Sequence, residues 1–218
     1  MALEIKICGL KTVEAIEAAI AGGASHCGFI FFEKSPRHIE TAVAAELRQT
    51  IGNRAKTVAV TVNANDAYLD EIVAAVKPDL LQLHGTESPE RVSEVKARYG
   101  IPVMKVFSIR EAGDLSRIDP YRTVADRLMF DAKAPKGSDV PGGHGVAFDW
   151  TLLESLDPAI EYMLSGGINA ANVADTLRRT RPNALDLSSG VESSPGVKDT
   201  AMIDEFFRAL AEALECKV

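Results

Sequence analysis

The strongest constraint on the fold of this chain is a regular alternation of strand-like and helix-like segments, which repeats eight times. Apolar residues recur at every second position in the strand-like segments, and three or four positions apart in the helix-like ones. This alternation predicts parallel strands, because each helix returns the chain to the edge at which the next strand starts. No change in composition divides the units. The sequence therefore predicts an α/β fold, a single (β/α)8 TIM barrel that occupies residues 1–218 as one domain.

The same patterns predict where the elements lie. The predicted strands are residues 3–9, 26–32, 57–62, 79–85, 102–107, 128–131, 160–164 and 184–187. The predicted helices are 13–20, 41–51, 66–77, 89–99, 148–156 and 169–179, then a closing helix with Ile203, Phe206, Phe207, Leu210 and Leu214 on one stripe. Thr12 and Ser88 are expected to cap helices, and a short helix is expected near 111–115. The Gly- and Pro-rich segment 132–147 is long enough to predict a lid or a ligand-binding loop.

Two clusters of small residues, Ser165-Gly166-Gly167 and Ser188-Ser189-Gly190, follow the last two predicted strands. Glycine lets the backbone approach a ligand closely, and amide groups at a helix start attract anions. In a barrel, the loops after strands seven and eight form one phosphate site. In the alternative fold, an open doubly wound sheet, a glycine-rich turn follows strand one, and residues 9–12 do not match it. Each cluster alone is consistent with an ordinary turn, but together they favour the barrel. The predicted phosphate-binding residues are Gly166, Gly167, Ser188, Ser189 and Gly190.

Charge and composition restrict the partners. The net charge is −7 and no basic run occurs, which argues against nucleic acid or an acidic membrane surface. No stretch approaches the roughly 20 apolar residues that span a bilayer. Cys8, Cys27 and Cys216 lack the spacing of metal ligands. We therefore expect reduced thiols, a cytoplasmic location and no metal site.

Strand parity places polar side chains inside the predicted barrel, because alternate residues face the interior and the helix layer. With the apolar residues turned towards the helices, the inward residues include Lys6, Cys8, Gln82, His84, Asp131, Asp186 and Ser188. Cys8, His84 and Asp131 come at the C-terminal ends of strands, the face at which barrel enzymes carry out chemistry. Structural explanations stay open. Cys8 can be a small buried apolar residue and Asp131 can cap a loop. Lys6 can form a structural pair with Asp186.

Short motifs occur in a specific order along nearly the whole chain. They are Lys6–Gly9, 31–38 with Ser35-Pro36-Arg37, 76–78, 81–85, Asp131, Gly142-Gly143, Phe148-Asp149-Trp150, 165–168, 186–192 and 195–199. In this order and spacing they resemble the phosphoribosylanthranilate isomerases, barrel enzymes of tryptophan biosynthesis. His144 is a departure, since the family usually has a small hydroxyl residue at that position of its Gly-Gly-x-Gly loop.

The resemblance implies a cofactor-free Amadori rearrangement that converts N-(5-phosphoribosyl)anthranilate to 1-(2-carboxyphenylamino)-1-deoxyribulose 5-phosphate. Asp131 stands at the family's acid position and would have to hold a proton for the ring oxygen of the sugar. Cys8 stands at the position of the base. A free thiol has a pKa near 8.5, so Cys8 would act best if its pKa were lowered towards neutrality.

The resemblance also implies how the substrate is held. Arg37 is expected to pair with the anthranilate carboxylate, which suits a planar guanidinium. His84 and Asp186 are expected to line the site. The expected partner is thus a small phosphoribosyl compound, and the chain is expected to be a monomer or a homodimer.

Two alternative functions remain at this stage. A histidine-pathway aminoimidazole isomerase would use a pair of aspartates at the ends of strands one and five, but strand one ends in Cys8 and residues 103–107 contain no carboxylate. A non-catalytic barrel that binds phosphoribosyl compounds would keep the two phosphate turns. It would not need Cys8 and Asp131 together at the mouth of the barrel.

Overall fold

The computed structural model of the protein describes residues 3–109, 111–132 and 150–215. Eight parallel strands pair in chain order, and the eighth pairs back with the first to close a barrel. The strands are β1 (Glu4–Cys8), β2 (His26–Phe31), β3 (Lys56–Thr61), β4 (Leu80–Leu83), β5 (Val103–Ile109), β6 (Arg127–Ala132), β7 (Tyr162–Leu164) and β8 (Ala184–Leu187). The predicted (β/α)8 barrel is confirmed. That the whole chain is one domain stays a prediction.

Helices cover the outside of the barrel. They are α1 (Val13–Gly22), α2 (Thr41–Ile51), α3 (Asp66–Val76), α4 (Pro89–Tyr99), α5 (Val173–Arg179) and α6 (Thr200–Glu215). As predicted, the Thr12 hydroxyl accepts a hydrogen bond from the amide of Ala15, and the Ser88 hydroxyl accepts one from Arg91. Each such cap is worth about 1 kcal/mol. Within the described ranges, no helix has both the length and the apolar character that crossing a membrane requires.

Several predicted boundaries are wrong, for local reasons. The helix predicted over 169–179 begins only at Val173, because the Asn172 side chain accepts the amide of Asn169 and forms a turn first. The short helix expected near 111–115 is present, but it is a 3-10 helix that spans Ala112–Arg117. Leu214 is 40 % exposed and lies outside the buried stripe of α6.

The predicted helix over 148–156 is described only in part. The described part is a 3-10 helix, Trp150–Ser155. Almost all of the predicted lid, 132–147, lies outside the described residues, as do His144 and Cys216.

The chain after β8 forms a small substructure that the sequence patterns did not predict. A 3-10 turn, Ser189–Val191, leads into a two-stranded antiparallel hairpin, β9 (Glu192–Ser194) and β10 (Val197–Lys198). This hairpin, 192–198, brings charged side chains to the end of the barrel at which β8 finishes.

Two separate apolar clusters confirm the parity of the strands. The cluster inside the barrel consists of Cys8, Val58, Val60, Leu80, Met104, Val106, Met129, Met163 and Ala184. The cluster between strands and helices includes Ile5, Ile7, Leu81, Leu83, Phe130, Leu185 and Leu187. Because side chains alternate along each strand, the polar residues between these outward positions face the interior, as predicted.

Candidate active site

Lys6 and Asp186 form an ion pair inside the barrel. The two residues are register partners on β1 and β8, and Lys6 Nζ lies 2.7 Å from Asp186 Oδ1. The second oxygen, Oδ2, accepts a hydrogen bond of 3.1 Å from the Ser165 hydroxyl. Burial is the largest single effect on the pKa of Lys6 and acts to lower it. The charges of Asp186 and Cys8, together with hydrogen bonding to both side chains, nevertheless raise that pKa above its ordinary value. Lys6 is therefore a fully buried cation. The structural pair considered for these two residues exists.

Cys8 ends β1 beside this ion pair and is 4 % exposed. Burial raises the pKa of the Cys8 thiol, while the positive charges of Lys6 and Lys198 act to lower it. The net direction is upward, opposite to the lowered pKa with which Cys8 would act best as a base. The cations offset the effect of burial only in part.

Asp131 and His84 lie together at the same end of the barrel. Both side chains are largely buried, and His84 Nε2 lies 3.4 Å from Asp131 Oδ2, which is longer than an ordinary hydrogen bond. Among the described residues, His84 Nε2 has no hydrogen-bond partner. Buried polar atoms are nearly always paired in native proteins. An unpaired nitrogen beside a carboxyl group therefore marks a place where a polar ligand can bind.

Arg37 is held by a carboxylate of the protein itself. Its Nε and Nη2 atoms donate to the two oxygens of Glu192, at 2.8 and 2.7 Å. The side chain of Arg37 also lies across the end of β1, because a Cβ atom at Gly9 would be only 2.9 Å from Arg37 Cδ. Arg37 is thus held against Gly9, the residue that follows Cys8.

Lys198 connects the hairpin to Cys8. Its ammonium group donates to Glu192 and, at 3.0 Å, to the carbonyl oxygen of Ser188. The Ser188 hydroxyl in turn donates to the carbonyl oxygen of Cys8 at 3.1 Å. Arg37 and Lys198 hold the pKa of Glu192 below its ordinary value against the effect of burial. A continuous set of polar contacts therefore runs from Arg37 to the end of β1.

Sequence reasoning gave Glu192 and Lys198 no role. The signal available was weak: two opposite charges six residues apart, directly after a small-residue turn.

The two small-residue clusters after β7 and β8 touch each other. Gly166 and Gly167 have left-handed backbones, with φ of +98° and +70°. A Cβ atom at Gly190 would overlap the carbonyl oxygen of Ile168. The structure thus brings Gly166, Gly167, Ser188, Ser189 and Gly190 to one place, as predicted. That they bind phosphate stays a prediction.

We expect Gly190→Ala to disturb this contact. The added methyl group cannot fit against the carbonyl of Ile168, so the two turns must separate, at a cost of about 1–3 kcal/mol in unfolding free energy. If the turns bind phosphate, KM should also rise about tenfold. Gly113→Ala is the matched control, because a Cβ there meets nothing closer than 4.0 Å. Urea unfolding and steady-state kinetics measure both effects, and equal behaviour of the two variants would contradict the contact.

Fold and site together define a (β/α)8-barrel enzyme with polar side chains at the C-terminal ends of its strands. Residues 5–209 match the family model described as PRAI, N-(5'phosphoribosyl)anthranilate (PRA) isomerase. The chain belongs to this family.

Individual relatives agree with the family match. The N-(5'-phosphoribosyl)anthranilate isomerase of Mesorhizobium japonicum is 62% identical over 213 residues, which cover 98% of this chain and 97% of the relative. The crystal structure of phosphoribosyl anthranilate isomerase from Thermotoga maritima superimposes with a TM-score of 0.87 at 31% identity, over 97% of this chain and 100% of that one. A crystal structure of such an isomerase in complex with reduced 1-(o-carboxyphenylamino)-1-deoxyribulose 5-phosphate has a TM-score of 0.84 at 29% identity, with coverage of 97% and 100%.

Proposed function

We propose that this chain isomerises N-(5-phosphoribosyl)anthranilate to 1-(2-carboxyphenylamino)-1-deoxyribulose 5-phosphate, a step of tryptophan biosynthesis, by acid–base catalysis without a cofactor. The family match over residues 5–209 and the relatives' names support the reaction. The single structural observation that carries it is the burial of Cys8 and Asp131 at the C-terminal ends of β1 and β6. A barrel that only binds its ligand has no use for a thiol and an acid there.

The chemistry needs one acid and one base. Asp131, in its protonated form, gives its proton to the ring oxygen of the ribose, the C1–O bond breaks, and an iminium forms between C1 and the anthranilate nitrogen. The thiolate of Cys8 then removes the proton from C2. The electron pair of that C–H bond forms a C1–C2 double bond and neutralises the iminium. The resulting enol rearranges to the ketone by proton transfer from O2 to C1, so the atoms of substrate and product balance.

His84 has a positioning role in this proposal. Its Nε2 lies beside Asp131 and is unpaired among the described residues, so it can bind a hydroxyl of the sugar next to the acid. Asp186 acts from further inside the barrel through Lys6 and Ser165. The phosphate binds to the amides of the turns at Gly166–Gly167 and Ser188–Gly190, where left-handed glycines leave the backbone accessible.

Arg37→Lys tests the proposed carboxylate contact. A lysine cannot hold the two oxygens of Glu192 and a second carboxylate in the planar arrangement that a guanidinium provides. We expect kcat/KM to fall by about tenfold or more, mainly through KM. Arg54→Lys, at an exposed ion pair with Glu17, should leave the kinetics unchanged. Wild-type kinetics in Arg37→Lys would remove Arg37 from the site.

Growth of bacteria tests the function in a cell. A strain that lacks this isomerase and requires tryptophan should grow without tryptophan when it expresses the wild-type chain. The Asp131→Asn variant, expressed at the same level, should not support growth. Equal growth with the two proteins would contradict the role of Asp131, and absence of growth with both would contradict the function.

We also propose that the protein works in the cytoplasm, as a monomer or homodimer, with no nucleic-acid or membrane partner. The net charge of −7 and the three sparse cysteines support this setting. Light scattering of the purified chain would distinguish one protomer from two.

A further inference from the structure

We propose that Lys6 is a positioning residue for the reaction: its ammonium group, held in place by Asp186, stabilises the thiolate of Cys8 from inside the barrel. The inference rests on the proposed function only in so far as Cys8 is the base. The ionisation of Cys8 can be measured without substrate, so the two proposals can fail separately.

The geometry brings the end of the Lys6 side chain close to the sulfur of Cys8. Lys6 and Cys8 are two residues apart on β1, so both side chains face the interior. A Cβ atom at Gly28, on the adjacent strand β2, would lie 3.1 Å from Cys8 Sγ and 3.1 Å from Lys6 Cε. The sulfur and the end of the lysine chain therefore border the same small space, and Gly28 keeps this space open. At this separation the charge of Lys6 acts to lower the pKa of the Cys8 thiol.

The charges around Cys8 come from three elements. Lys6 lies on β1, Asp186 on β8, and Lys198 on β10. Lys6 and Lys198 favour the thiolate, and Asp186 disfavours it. Lys198 is partly neutralised by Glu192, which it shares with Arg37. Within the part of the chain that the structure describes, His84 and Asp131 also lie at this end of the barrel, and they contact each other.

A purely structural ion pair and a pair that acts on the thiol make different predictions. Lys6→Met and Asp186→Asn break the same ion pair, so both should lower the stability of the protein. Their effects on Cys8 should have opposite signs, because one variant removes a cation from the thiol and the other removes an anion. A structural role alone would not produce this opposition.

Lys105→Met provides the matched control. Lys105 is 3 % exposed and forms an ion pair of 3.0 Å with the equally buried Glu87. Lys105 is a register partner of Leu83, which packs in the outer cluster, so it faces the helices and not the interior. Its loss removes a buried lysine–carboxylate pair from the fold but should leave Cys8 unaffected.

The experiment follows the ultraviolet absorbance of the Cys8 thiolate as a function of pH. Every protein carries Cys216→Ser, and the titration curve of the same protein with Cys8→Ser is subtracted from each curve. Cys27 is present in both proteins of each difference, and burial raises its pKa to about 12, so its titration cancels and lies above that of Cys8. We expect Lys6→Met to shift the Cys8 titration upwards by about one pH unit and Asp186→Asn to shift it downwards by a similar amount. Lys6→Arg should stay near wild type, and so should Lys105→Met. The rising limb of kcat/KM against pH should move in the same directions.

Shifts of one sign in both variants, or no shift in Lys6→Met, would overturn the proposal. If Lys6→Met does not fold, the isosteric Asp186→Asn decides alone: a downward shift supports the proposal and an unchanged or upward shift contradicts it. Opposite shifts in a protein without isomerase activity would leave this inference standing while the proposed function fails. Isomerase activity without the shifts would refute this inference and leave the function intact.

Discussion

Cys8→Ser and Asp131→Asn should each lower kcat by about a hundredfold to ten-thousandfold, the range that a single acid or base contributes. A serine hydroxyl in place of the thiol is a far weaker acid, so almost no base is present near neutral pH. Asparagine keeps the shape of Asp131 but has no acidic proton. KM should change little, because neither residue belongs to the proposed contacts with carboxylate or phosphate.

The control for this loss is Cys27→Ala. Cys27 is a fully buried thiol of β2 that packs in the outer cluster, away from the interior. Its loss should lower stability but leave kcat close to wild type. Steady-state kinetics, with circular dichroism to verify folding, measures all three variants. Activity that survives in Cys8→Ser or Asp131→Asn would show that the barrel is correct and the catalytic assignment wrong.

Glu192→Gln should lower the free energy of unfolding by about 3 kcal/mol or more. The carboxylate of Glu192 is 3 % exposed and pairs with both Arg37 and Lys198, so its neutralisation leaves two buried cations without their counterion. Glutamine is nearly isosteric, which makes the lost charge the main change. Because the polar contacts continue to Ser188 and Cys8, kcat/KM should fall as well.

The pH dependence of this effect has a definite sign. The pKa of Glu192 is lowered in the folded protein, so its stabilising contribution is present above the ordinary glutamate pKa of about 4.3. That contribution is lost as the pH falls through the lower, folded-state pKa. The stability difference between wild type and Glu192→Gln should therefore be full near neutrality and shrink in acid.

The matched variant for Glu192→Gln is Glu17→Gln. Glu17 makes an equally short ion pair with Arg54, but both side chains are about half exposed, so its loss should have a much smaller effect. Urea unfolding at several pH values measures the difference. Equal losses in the two variants would contradict the structural importance of the buried cluster.

The strands and the direction of their side chains could be predicted because they depend on local periodicity. The alternation in β1 places Lys6 and Cys8 inside, and the structure confirms this. The inward direction of both residues also makes a pair between Lys6 and Asp186 possible. That the two are register partners depends on closure of the barrel, which joins positions 180 residues apart.

The contacts of the loops could not be predicted in this way. Arg37 is expected from the sequence to bind an anion, but its two hydrogen bonds to Glu192 join the loop after β2 to the hairpin after β8, whose paths no periodicity describes. The pKa of Cys8 depends likewise on contacts that no local pattern describes. The balance between burial and two neighbouring cations is a property of the folded interior and not of the sequence around Cys8.

The central claim is that this protein turns over N-(5-phosphoribosyl)anthranilate. The most direct measurement follows the fluorescence of freshly generated substrate after addition of the purified wild-type chain, with chromatographic identification of the product. We expect rapid loss of substrate, with 1-(2-carboxyphenylamino)-1-deoxyribulose 5-phosphate as the product. Binding of the substrate without any product would contradict it, and would indicate a barrel that binds phosphoribosyl compounds without catalysis.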